Sequence, residues 1–88
     1  QAIRINPENA GAWNNLGGVY LSSNQPDVAI DAFQQAIRIN SKDAEVLRNL
    51  GIAYKQSGQP EQVMEVYKRL KTLDPALADQ FFNNFVLP

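Results

Sequence analysis

The sequence of 88 residues has no cysteine and no histidine. Without cysteine there is no disulfide framework and no thiolate to act as nucleophile or metal ligand. Without histidine the commonest general base and the commonest metal ligand are missing together. An excess of one charge is missing too, because 8 basic and 9 acidic residues leave a formal net charge of −1. Proteins that hold nucleic acid displace counterions with a basic stripe, and none is visible, so no nucleic-acid partner is expected. No apolar run approaches the roughly 20 residues of a membrane-crossing helix, so no membrane insertion is expected either. The chain opens at Gln1 without an initiating Met or a signal-like segment and reads as a piece of something longer. The compartment is therefore left unknown, with the cytoplasm favoured.

The composition that remains, 44% hydrophobic and 19% charged, is that of an ordinary folded chain. A single closed core of this size is marginal, because small domains bury a limited share of their surface. The sequence has another plan. Trp13-Asn14-Asn15-Leu16-Gly17-Gly18-Val19-Tyr20 returns as Leu47-Arg48-Asn49-Leu50-Gly51-Ile52-Ala53-Tyr54, each landmark 34 residues further on. Gln1 to Asn6 returns unchanged as Gln35 to Asn40, at the same step. A fixed period of this length marks a helical array in which each unit stacks on the next.

Within each period the apolar residues fall three and four apart, as one stripe of a helix requires. Ala12, Trp13, Leu16, Val19 and Tyr20 predict a first helix from about residue 8 to 23; Ala29, Ile30, Phe33, Ala36 and Ile37 predict a second, from Pro26 to about residue 39. Val46, Leu47, Leu50, Ala53 and Tyr54 predict a third, over 42–57, and Val63, Met64, Val66, Tyr67, Leu70 and Leu73 a fourth, over 60–73. A fifth is expected over 76–86, with Leu77, Phe81, Phe82 and Phe85. Asn24 and Gly58 are residue types that take the left-handed conformation closing a helix. Pro26 and Pro60 suit first helical positions, and the pairs Asn6-Pro7, Asn40-Ser41 and Asp74-Pro75 read as helix starts. Mid-helix glycines at 17 and 51 each cost roughly 1 kcal/mol against alanine, which implies close backbone packing, with Ala29 and Ala36 as the expected small partners.

On these residues the chain resembles the tetratricopeptide repeat family, whose pattern is W-x-x-L-G-x-x-Y, then A-x-x-x-F, then P. Trp13, Leu16, Gly17, Tyr20, Ala29 and Phe33 match in the first unit, with Ser41 in place of the proline. Leu50, Gly51, Tyr54 and Pro75 match in the second, where Leu47, Val63 and Tyr67 depart from the pattern but remain apolar or aromatic. The resemblance implies an all-α fold: antiparallel helix pairs stacked as a right-handed superhelix, an α-solenoid, with a C-terminal capping helix. The expected divisions are 1–6 as the tail of a preceding repeat, 7–40 and 41–74 as full repeats, and 75–88 as the cap. It further implies that the first helix of each pair lines a concave groove that holds peptides or protein segments.

The groove positions are those away from the apolar stripe. They are Asn14 and Asn15, with Gly18, Leu21 and Ser22; Glu45, Arg48, Asn49, Ile52 and Lys55, with Gln56; and Phe82 and Asn83, with Asp79 and Val86. Asn15, Asn49 and Asn83 recur at the 34-residue step. An amide offers donors and acceptors together, so three at regular rise match the peptide units of an extended chain whatever its sequence. This is similar to the asparagine ladder in the repeat arm of O-linked N-acetylglucosamine transferases. The bland alternative is that each amide bonds a neighbouring helix or water. The family's carboxylate clamp of Lys, Asn and Arg is only partly represented, since Gly18, Glu45 and Asp79 stand where it wants an amide or a cation.

Neither a catalytic residue, a cofactor nor a metal site is expected. Asp27/Asp31 and Glu61/Glu65 are spaced four apart, but paired carboxylates need burial to divide acid from base roles, and these fall on outward faces. No serine has a histidine to activate it. The expected function is therefore protein–protein interaction through the groove. The alternatives are a scaffold segment that self-associates through its terminal helices, and the substrate-recruiting arm of a larger enzyme. The apolar residues of the last helix, Phe81, Phe82, Phe85, Val86 and Leu87, face more than one side: either a slightly rotated cap buries them, or some form an exposed patch through which this end, or the N-terminal end with Ile3 and Ile5, pairs with another copy.

Overall fold

The computed structural model describes residues 9–86. Within them the chain is all helical: α1 (Ala10–Ser22), α2 (Pro26–Ile39), α3 (Ala44–Gln56), α4 (Pro60–Leu73) and α5 (Pro75–Phe81), the last running on into a π-helical turn, Phe82–Val86. Helices pack in sequence as antiparallel pairs, α1 on α2 and α3 on α4, with α2 against α3 and α5 against α4.

The turns inside the pairs are copies of one another. Asn24 has φ 61° and Gly58 φ 76°, the left-handed residues expected at those places. Around them the freed carbonyls are satisfied in the Schellman pattern. Gln25 N–H donates to Tyr20 O at 2.9 Å and Asn24 N–H to Leu21 O at 3.1 Å; Gln59 N–H and Gly58 N–H repeat both bonds to Tyr54 O and Lys55 O. Pro26 and Pro60 then occupy first helical positions, where no N–H is needed.

The starts of α1 and α3 differ from expectation. The caps are Asn9 and Asp43, whose side-chain oxygens accept from Ala12 N at 3.0 Å and Val46 N at 3.3 Å. Asn40 is not the cap of α3. It ends α2, and its Oδ1 accepts from Lys42 N at 3.4 Å. Asp74-Pro75 works as predicted, Asp74 Oδ1 accepting from Leu77 N at 3.1 Å with Pro75 at the first position. Asp43 stands 34 residues after Asn9, so α1 and α3 are capped in the same register. Asn6-Pro7, and Ile3 and Ile5 with them, lie outside the described residues.

Phe33, Phe81, Leu47, Leu70 and Val46 are the largest fully buried side chains. A Cβ built on Gly17 would lie 2.5 Å from the Phe33 ring, and one on Gly51 2.5 Å from the Phe81 ring and 2.8 Å from Val66. The glycines thus make room for aromatic rings rather than for the small residues Ala29 and Ala36. Phe81 belongs to α5, so the second pair completes its core with a ring from the closing helix. Tyr67, in register with Phe33, is only half-buried.

Val19 is 59% exposed, although it lies on the predicted stripe of α1; its counterpart Ala53 is 0% exposed. Ala12 and Leu16 are half-buried, where Val46 and Leu50 are buried. The difference is position: α3 packs against α1, α2, α4 and α5, whereas among the described residues α1 packs only toward α2 and α3. The last helix also departs from expectation in its π-helical turn. Phe81 is buried, and Phe82, Phe85 and Val86 are half-buried; Phe85 and Val86 border an open concavity with Met64, and Leu87 lies outside the described residues. The widened turn lets Phe82 stack on Tyr67, with ring centroids 5.0 Å apart, while Phe85 stacks on Phe81 at 5.5 Å.

Two stability predictions follow from the glycines and the ring. Gly17→Ala will lower stability by about 1–2 kcal/mol, because overpacking outweighs the helix-propensity gain. Gly18→Ala, one residue on and with nothing within 4 Å of its Cβ position, will raise stability by about 0.5–1 kcal/mol. Urea midpoints of the two variants measure the contrast. Phe81→Ala will cost about 3–5 kcal/mol on the same assay, which a merely solubilising end helix would not.

Candidate functional site

The first helices of the pairs stand side by side. α1 packs beside α3 and α3 beside α5, while no comparable packing joins α2 to α4. Helices that approach on one side and splay on the other curve the array, so α1, α3 and α5 occupy its inner side. Between the splayed second helices lies a shallow cleft of about 260 Å³, lined by Gln34, Tyr54, Glu65 and Arg69 among others. There Gln34 Nε2 donates to Tyr54 Oη at 2.8 Å, which satisfies the tyrosine hydroxyl.

On the inner side the structure joins three of the expected groove residues directly. Asn49 Nδ2 donates to Asn14 Oδ1 at 3.1 Å, and Arg48 Nη2 donates to Asn49 Oδ1 at 3.3 Å. All three side chains are half-buried. The Asn14–Asn49 bond links α1 to α3, so it crosses from one repeat to the next. Its two residues are 35 apart, one off the repeat step, and for that reason comparing equivalent positions does not reveal it. The Arg48 Nε N–H is buried without a partner. Arg48 is held by its bond to Asn49, and the guanidinium retains donors for another acceptor.

The other expected groove residues lie apart from this trio. Asn15, Glu45 and Asn83 are exposed. Ile52 is half-buried and packs on the core. Phe82 is turned against Tyr67 rather than open to the groove. Lys55 is exposed and borders a second concavity of about 260 Å³ at the far end of α3. The regular ladder of Asn15, Asn49 and Asn83 therefore has unequal rungs, the middle one bonded internally and the outer two open to solvent.

Elsewhere the chemistry is sparse. Asp27, Asp31, Glu61 and Glu65 are exposed on the outer helices, and Glu65 pairs loosely with Lys68 at 3.9 Å. Among the described residues no group of acidic side chains is placed to hold a metal ion, and no helix is long and apolar enough to cross a membrane.

Family comparison decides what kind of array this is. Tetratricopeptide repeat models match residues 1–31 and 46–80, and a TPR repeat model matches residues 19–58. The chain belongs to the tetratricopeptide repeat family. No curated protein matches it. Repeats of this family generally serve as protein–protein interaction modules.

The Asn14–Asn49 bond can be weighed alone. Each of Asn14→Ala and Asn49→Ala will cost about 0.5–1.5 kcal/mol. In a double-mutant cycle by urea unfolding the pair will couple by about 0.5–1 kcal/mol; strictly additive losses would show that the bond does not form in solution.

Proposed function

We propose that this tetratricopeptide module holds an extended peptide or protein segment along the inner face of α1, α3 and α5, bonding its backbone through asparagine amides. The observation that carries the reading is the Asn14–Asn49–Arg48 cluster. An amide has two N–H donors and two acceptor lone pairs. Asn49 uses one of each internally and keeps one of each, the complement of a peptide N–H and C=O. Asn15 and Asn83 extend the same chemistry to either side. Recognition of this kind is tolerant of sequence, because it addresses the backbone.

A second reading has its own observation. Ala12, Leu16 and Val19 are more open than Val46, Leu50 and Ala53, their buried counterparts in the next repeat. A second copy covering that end would bury them, making the chain a scaffold segment that self-associates through α1.

Selection from a displayed library of random peptides, followed by titration, tests the first reading. Changing Asn15, Asn49 and Asn83 together to Ala will weaken the selected peptides at least tenfold while far-UV circular dichroism stays unchanged. Affinity that survives the triple change rejects the groove. Under the second reading Val19→Lys shifts the particle size in light scattering and leaves peptide affinity alone.

A further inference from the structure

Resting on the groove reading, we propose that the concavity beyond the end of α3 takes one large apolar side chain of the bound segment, with a neighbouring carboxylate of that segment set against Lys55. The concavity is walled by the α3–α4 turn (Gly58, Gln59, Pro60), by Val63 and Met64 of α4, and by Phe85 and Val86 of the π-helical turn.

Size, lining and charge select the occupant. At about 260 Å³ it falls just under the ~300–1,000 Å³ of sites for drug-sized ligands, yet exceeds the ~150 Å³ of an apolar cavity that accepts benzene. That is room for a phenylalanine or leucine side chain. Val63, Met64, Phe85 and Val86 present mainly carbon, and Met64 is left 37% exposed; a flexible thioether is the side chain best able to adjust to an incoming ring. In the first repeat Met64's counterpart Ile30 is only 7% exposed and belongs to the core cluster. Here the π-helical turn draws Phe82 toward Tyr67, and Met64 stays open. Lys55 is the sole charged residue of the lining, and it makes no ion pair among the described residues. It therefore favours an acidic neighbour beside the apolar anchor, a contact worth a few-fold in affinity at an exposed site. Buried apolar anchors of this kind carry much of the energy in peptide interfaces.

The probe is a nine-residue glycine–serine peptide with one phenylalanine beside one aspartate, titrated by NMR into the 88-residue chain. Shifts should concentrate on Lys55, Gly58, Met64 and Val86. Replacing the peptide's phenylalanine by alanine, or making Met64→Glu in the protein, should weaken binding at least tenfold; Asp to Asn in the peptide, or Lys55→Glu, about threefold. Absence of shifts, or equal binding by the alanine peptide, overturns the proposal. Shifts confined to Asn14, Arg48 and Asn49 overturn it and leave the groove reading standing. Shifts at the concavity with a silent Asn49 side-chain amide uphold it and count against the amide groove.

Discussion

A ring seated on a bare backbone holds this array together. Phe33 lies on Gly17 and Phe81 on Gly51, in each case closer than any side chain would permit. Two opposing terms meet there. Glycine weakens each helix by about 1 kcal/mol, while a fully buried aromatic ring contributes several. The balance favours the ring, provided that it is delivered from a neighbouring helix at the right height. That condition sets the spacing of the helices, and through it the curvature that gathers α1, α3 and α5 on one side.

The two glycines receive their rings from different directions, and this explains the closing helix. In the first pair the ring comes from the second helix, α2. In the second pair that position is Tyr67, whose hydroxyl would be costly to bury unpaired; it stays half-exposed, 3.4 Å from Lys71 Nζ. Phe81 supplies the missing ring from α5. To do so α5 must begin early, and Asp74 both ends α4 and caps α5, with no intervening turn of the kind found between α2 and α3. Lys71 is part of the same arrangement. It stands at the position of Ile37, which is 8% exposed, yet it is exposed and lies over the Tyr67 ring at 5.7 Å. The outer end of α4 is thus polar where α2 is apolar, and α5 packs on it in a register of its own.

How far the sequence could be read follows from what each feature depends on. The left-handed turns at Asn24 and Gly58, the proline starts of α2 and α4, and the helical stripes are local, and periodicity exposes them. The cap of α3 is not legible, because Asn40 and Asp43 are both good capping types three residues apart. Val19 was misjudged because a stripe records which face is apolar, not whether a neighbour covers it. The π-helical turn, which a regular 3.6-residue pattern cannot show, sets Phe82 against Tyr67 and Phe85 against Phe81. At the site, the structure joins Asn14, Arg48 and Asn49 but packs Ile52 on the core and Phe82 on Tyr67; the Asn14–Asn49 bond was not legible, since it joins positions one residue out of register.

That bond has a consequence for the proposed peptide face. A free surface asparagine must give up rotamer freedom to hold a ligand, a cost of about 0.5–1.5 kcal/mol for an immobilised side chain. Asn15 and Asn83, both exposed, carry that cost in full. Asn49 has already met it within the folded chain, fixed between Asn14 and Arg48, and its remaining N–H and lone pair point from a settled position. A net hydrogen bond is worth only about 0.5–1.5 kcal/mol, so the ordering cost can cancel an outer rung while leaving the middle one favourable. On this account a repeat array recognises an extended chain where its repeats bond to each other, and a residue's internal partner is part of what makes it a binding residue.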